Sequence, residues 1–185
     1  MLLGNVGELT TGLPPSQPDP HGLRVTNQCA YCHMPAQPNQ GPGHPAVTGH
    51  AFAVTSYEVC RVCHPGGDPA GLARLANTVV SNQIQQVKGL LDTWGQTRAP
   101  APLRVAYGAR AWEYTNPGEL SNPPGVTNGG PTTAQQAQYI PASILKARFN
   151  LYLVQYDGSF GIHNPWFATT LLDAARVWVE SEFSP

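Results

Sequence analysis

The chain has 185 residues, 11% of them charged, a formal net charge of −1, and 19 each of Gly and Pro. That length suits one domain or one and a half. The near-neutral balance excludes a basic patch for nucleic acid, and no run approaches the ~18 apolar residues that span a membrane.

In chain order, Met1-Leu2-Leu3-Gly4-Asn5-Val6-Gly7-Glu8 lacks a basic n-region, and its glycines and glutamate break any apolar run, so it does not read as an export signal. Pro14, Pro15, Pro18 and Pro20 predict an extended or turn-like stretch. Two copies of one pattern follow: Cys29-Ala30-Tyr31-Cys32-His33 and Cys60-Arg61-Val62-Cys63-His64, which together use all four cysteines. Across residues 1–68 little regular structure is expected beyond short helical turns around these motifs.

The pattern changes at Asp68-Pro69. Leu72, Leu75, Val79, Val80, Ile84, Val87, Leu90, Leu91 and Trp94 recur at three- and four-residue steps, which predicts a helix of about 25 residues with Asp68 as N-cap and Pro69 in its first turn. Residues 97–139 read as one long irregular connection, punctuated by Asn116-Pro117-Gly118, Asn122-Pro123-Pro124-Gly125 and Asn128-Gly129-Gly130-Pro131. A second helix is expected from about Pro141, carrying Ile144, Leu145, Arg148, Phe149, Tyr152 and Tyr156. A third follows Asn164 as N-cap, with Pro165 at its first position and Phe167, Leu171, Leu172, Ala175 and Val179 along it. The expected class is therefore mainly α with extensive loops and about three helices.

Cys-x-x-Cys-His is the run that mounts a c-type haem: two thiols bond the vinyl groups, and the adjoining imidazole lies under the iron. Two Cys-x-x-Cys pairs also describe a zinc ribbon, but the 27 residues between Cys32 and Cys60 exceed the usual spacing. A ribbon has no need of a histidine after each pair, and a thioredoxin-like pair wants a strand-then-helix setting. The expected cofactors are two covalent haems c, held by Cys29, Cys32 and His33 and by Cys60, Cys63 and His64. A loop-rich chain would struggle to bury a core alone, and two porphyrins would add large apolar faces to it. This divides the chain into a dihaem segment, 1–68, and a helical segment, 69–185, that packs on the haems and supplies a distal ligand within one integrated domain. Haem is joined to cysteine outside the cytoplasm, so a periplasmic or extracellular location is expected.

The distal side of each iron follows by elimination. Of the two methionines, Met34 directly follows a proximal histidine and Met1 is terminal, so bis-histidine ligation is expected, with lower potentials than a His/Met cytochrome. The histidines outside the motifs are His21, His44, His50 and His163. His163, fixed just before a proline-started helix, is the first choice. His50, between Gly49 and Phe52, is the second, while His21 and His44 each adjoin a proline.

The stretch Tyr156-Asp157-Gly158-Ser159-Phe160-Gly161-Ile162-His163-Asn164-Pro165, with Ala147-Arg148-Phe149-Asn150-Leu151-Tyr152 before it, resembles the multihaem cytochrome c superfamily, which includes ammonia-forming nitrite reductase and hydroxylamine oxidoreductase. Cys29-x-x-Cys32-His33-Met34-Pro35 and Gly49-His50-x-Phe52 are similar to that group as well. The resemblance implies that His163 and His50 are axial ligands. It departs from the enzymes of the group in having only two attachment motifs, and neither Lys88 nor Lys146 lies in a Cys-x-x-Cys-Lys motif.

The expected function is single-electron transfer between two nearby bis-histidine haems. The partners would be further copies of the chain, a larger multihaem cytochrome, or a redox protein or extracellular acceptor. Histidines in excess of the chain's own irons suggest donation to a neighbouring subunit, in the strongest form a cytochrome filament. The alternative is a redox enzyme subunit whose open haem acts on a small nitrogen or sulfur compound. Arg148 and Tyr152 are candidates for a haem edge or its propionates, with a surface salt bridge an equal account of Arg148.

Overall fold

The longest run of periodic apolar residues becomes the longest helix. In a computed structural model that describes residues 1, 3–12, 17–35, 41–42, 54, 56–121 and 129–184, Pro69–Thr97 forms a single helix of 29 residues. We number the α-helices in chain order: α1 Pro20–Arg24, α2 Gln28–His33, α3 Pro69–Thr97, α4 Ala101–Tyr107, α5 Thr133–Tyr139, α6 Ala142–Asp157 and α7 Pro165–Ser181. Two 3-10 turns, Glu58–Val62 and Gly108–Arg110, complete the described elements, which include no strand. The mainly α expectation holds.

The core lies where α3, α6 and α7 pack on one another. From α3 come Val80, Ile84, Val87, Leu91 and Trp94, every one fully buried at helical spacing. Ile144, Ala147 and Leu151 of α6 and Phe167, Leu171 and Val179 of α7 meet them. Leu103 of α4 and Trp112 close the end, the indole nitrogen of Trp112 donating to Asp92 Oδ1 (3.0 Å). This core is built from side chains of the helical segment, although a loop-rich chain is expected to struggle to bury a good core alone. Gly95 permits a close approach here: a Cβ on it would lie 2.7 Å from the Gly108 carbonyl oxygen, so α3 can touch the 3-10 turn only because that side chain is missing.

The start of α3 differs. Leu72, Leu75 and Val79, which belong to the same periodic stripe in the sequence, are exposed there at 51%, 61% and 41%. Asp68 occupies the N-cap position as expected, but its side chain makes no cap bond and pairs with Arg74 instead.

The expected irregular connection of residues 97–139 is corrected: it holds α4, a 3-10 turn and α5. Thr132 and Gln135 form a capping box, each side chain bonding the other's backbone N–H, and this starts a short polar helix without an apolar stripe. Five α-helices rather than three thus follow residue 68 among the described residues. Pro20, read as extended, instead opens α1, with Asp19 accepting from the His21 N–H as its cap.

Arg148 does not form a surface salt bridge. It is 5% exposed, its Nη1 donates to the carbonyls of Trp112 and Glu113 (2.9 Å each), and its guanidinium lies 3.7 Å from the centre of the Tyr114 ring. Beside it Tyr152 donates its hydroxyl to Glu113 Oε1 (2.7 Å). Burial drives Glu113 above the ordinary carboxyl range, only partly opposed by the hydrogen bonds it accepts and by Arg148. The same burial, with the neighbouring carboxylate, raises the Tyr152 phenol.

Candidate functional site

Both motifs sit on tight turns, and helical geometry explains why. In α2 the residues Cys29, Cys32 and His33 stand at i, i+3 and i+4, so both thiols and the imidazole share one face. In the 3-10 turn the same spacing eclipses Cys60 and Cys63, and His64 follows with its N–H bonded to the Cys60 carbonyl (2.9 Å). None of the four cysteines is in a disulfide; Cys29 and Cys63 are exposed, and Cys32 and Cys60 are half-buried. Burial raises the Cys32 thiol, and Cys60 and Cys29 push it further; Cys60 is raised by burial and by Cys63. The Cys60 thiol thus reaches Cys32 across the contact where α2 packs on the 3-10 turn that also touches α3.

The N-terminal segment is clipped to the helical core by two buried asparagines. Asn150 of α6 accepts from the Glu8 N–H (2.8 Å) and donates to the carbonyls of Glu8 (2.7 Å) and Leu171 (3.1 Å). Asn164 accepts from Phe167 N–H (2.9 Å), capping α7 as expected, and its Nδ2 donates to the Gln17 carbonyl (2.7 Å). The second clip sits next to His163. On the other side of His163, Gly161 has φ +95°, and a Cβ on it would lie 2.8 Å from Val80, so the loop passes directly over α3.

These clips bring histidines together in two pairs. The His33 and His163 rings have centroids 6.0 Å apart at 61°, and the His21 and His64 rings 6.3 Å apart at 58°. Of the six histidines, His44 and His50 lie outside the described residues, and the other four are all used. Each pair joins a motif histidine to one from elsewhere in the chain. His163, the first choice from sequence, thus stands beside the first motif; His21, ranked behind His50, stands beside the second. No sequence signal singled out His21, because its proline neighbour reads equally well as a turn.

Each of these two non-motif rings is also held by a carboxylate. His163 Nδ1 lies 2.9 Å from Asp157 Oδ1, and His21 Nδ1 lies 2.9 Å from Asp19 Oδ1. Burial works to raise the Asp157 carboxyl, but the bonds from His163 and Ser159 outweigh it and hold it below its ordinary value. A carboxylate only accepts, so the proton of each imidazole belongs on Nδ1, and Nε2 is the nitrogen left to take a metal. Among the described residues no three His, Cys, Asp or Glu side chains converge on one point. No described helix is long and apolar enough to cross a membrane. Neither a family model, nor a curated protein, nor a solved structure matches the chain.

Proposed function

We propose that the protein is a dihaem c-type cytochrome, related to the multihaem cytochromes, that passes single electrons through two bis-histidine haems. The observation that carries this reading is the composition and spacing of the two histidine pairs. Imidazoles bound on opposite sides of one metal through bonds of about 2.0–2.1 Å have ring centres about 6.3 Å apart, and the two pairs stand at 6.0 and 6.3 Å. Packed rings also meet at about 4.5–7 Å, so distance alone does not decide. What favours ligation is that each pair couples one Cys-x-x-Cys-His imidazole to one outside ring whose Nδ1 is already tied to a carboxylate, leaving Nε2 for iron. A zinc ribbon would give neither pair a role.

On this reading Cys29, Cys32, His33 and His163 would hold one haem, and Cys60, Cys63, His64 and His21 would hold the other. Haem c supplies a one-electron ferric/ferrous couple at each position. The protein would fix the two outside rings, and Leu23 of α1, Val62 of the 3-10 turn and Leu72 and Leu75 of α3 expose apolar surface. Covering them with porphyrin would build for the N-terminal segment the haem core that the helical segment does not need. With both irons filled on each side, His44 and His50 become the surplus, available to irons of another copy in a filament or assembly outside the cytoplasm.

Production in a host that attaches haem c, followed by intact mass and optical and EPR spectra, tests this. Two haems, each adding on the order of 600 Da, with wholly low-spin signals are expected. Stoichiometric zinc with no haem would overturn it. A high-spin iron that binds cyanide or nitrite would instead favour the enzymatic alternative.

A further inference from the structure

We infer that Asp19 and Asp157 are positioning residues that orient the two distal imidazoles and lower the reduction potentials of the irons they serve, an inference that rests on the bis-histidine reading above. A surface carboxylate–imidazole contact would mean little by itself. These two carboxylates are different because they are mostly covered: Asp19 is 12% and Asp157 11% exposed, while their histidines are 44% and 30% exposed.

Each contact is also braced at a second point. Asp19 Oδ1 accepts both the His21 ring and the His21 backbone N–H (2.8 Å), so the residue that caps α1 also sets the ring's rotation. Asp157, the last residue of α6, accepts from the Ser159 hydroxyl as well as from His163, and Ser159 Oγ in turn accepts the His163 N–H (3.2 Å). Ring and backbone of each distal histidine are thus held by one local cluster, with one bond on the ring and one on the backbone N–H. A hydrogen bond from Nδ1 to a carboxylate puts negative charge on the imidazole, makes Nε2 a stronger donor and favours ferric iron. Both sites use the same device although they arise from unrelated parts of the chain, one at a helix start and the other after a helix end.

The test uses the holoprotein with both haems attached. The wild-type spectrum must first be low-spin; if it is not, the axial pairing fails and takes this inference with it. Given that spectrum, Asp157→Asn is expected to shift one of the two ferric/ferrous equilibria about tenfold toward ferrous, or about 59 mV for a one-electron couple, and leave the other in place. Asp19→Asn is expected to move the other haem, and Asp157→Glu to restore the first. Low-spin variants whose potentials both match the wild type would overturn the role of the carboxylates while the axial pairing stood. Should the Asn variants not yield holoprotein, the wild type decides by NMR: distal Nδ1 protons protected from solvent exchange are expected, and freely exchanging ones would refute the hydrogen bonds.

Discussion

His163 and His21 do different work from His44 and His50 on the pairing described, and single substitutions separate them. His163→Ala should keep both haems covalently attached, with the intact mass changed only by the substitution, yet turn one of the two irons high-spin and open to cyanide. His21→Ala should do the same at the second iron, and His50→Ala should leave the isolated chain low-spin. EPR and cyanide titration read all three. In the buried cluster, Glu113 has its folded pKa raised by burial. The fold therefore favours its protonated form, and the stability this gives is full below the ordinary value of 4.5 and lost as pH rises through the raised one. Around Glu113 stand Arg148, Tyr114 and Tyr152, so Glu113→Gln, which imitates the protonated acid, should flatten the decline of the urea midpoint with rising pH relative to the wild type. The Cys-x-x-Cys-His runs stand out in the sequence because haem attachment, the chemistry proposed for them, demands that spacing. Arg148 does not, since its partners are backbone carbonyls from the far side of a loop, and no side-chain pattern announces those.

Helices were legible where burial repeats and termini are marked. Asp68-Pro69 and Asn164-Pro165 open α3 and α7, and the buried positions of each follow the three-and-four step. For α5 the signal was there but of another kind: Thr132 with Gln135 is a capping box, while the Ala and Gln that follow show no apolar period to notice. The stripe on α3 was read as uniform, but only its later turns meet α6 and α7. Two substitutions probe this division. Leu91→Ala, at a fully buried position, should cost about 2–5 kcal/mol of unfolding free energy. Leu75→Gln, on the exposed part, should cost the apoprotein no more than about 0.5 kcal/mol and become more costly once haem is attached. Gly95→Ala is expected to destabilise by roughly 1–3 kcal/mol, because the new methyl group meets the Gly108 backbone, a penalty that exceeds the gain in helix propensity. Chemical denaturation of each variant beside its parent measures these differences.

For the whole molecule, the apolar core of α3, α4, α6 and α7 does not depend on the cysteines. A variant with all four cysteines replaced by serine should keep most of the far-UV helical signal of the holoprotein and unfold cooperatively. Limited proteolysis should cut it first within residues 17–68, where Gly22 is the one buried residue among those described. The histidine pairs also cross in chain order, with implications for maturation. On the proposed bis-histidine reading, His21 precedes both Cys-x-x-Cys-His motifs, so an iron at the second motif would find both of its histidines as soon as the chain had emerged through His64. An iron at the first motif would wait for His163, far beyond the second motif. A haem at the first motif would therefore be completed last. Until then its iron would stay open to peroxide or carbon monoxide, and a chain cut short before His163 would keep that vulnerability for good.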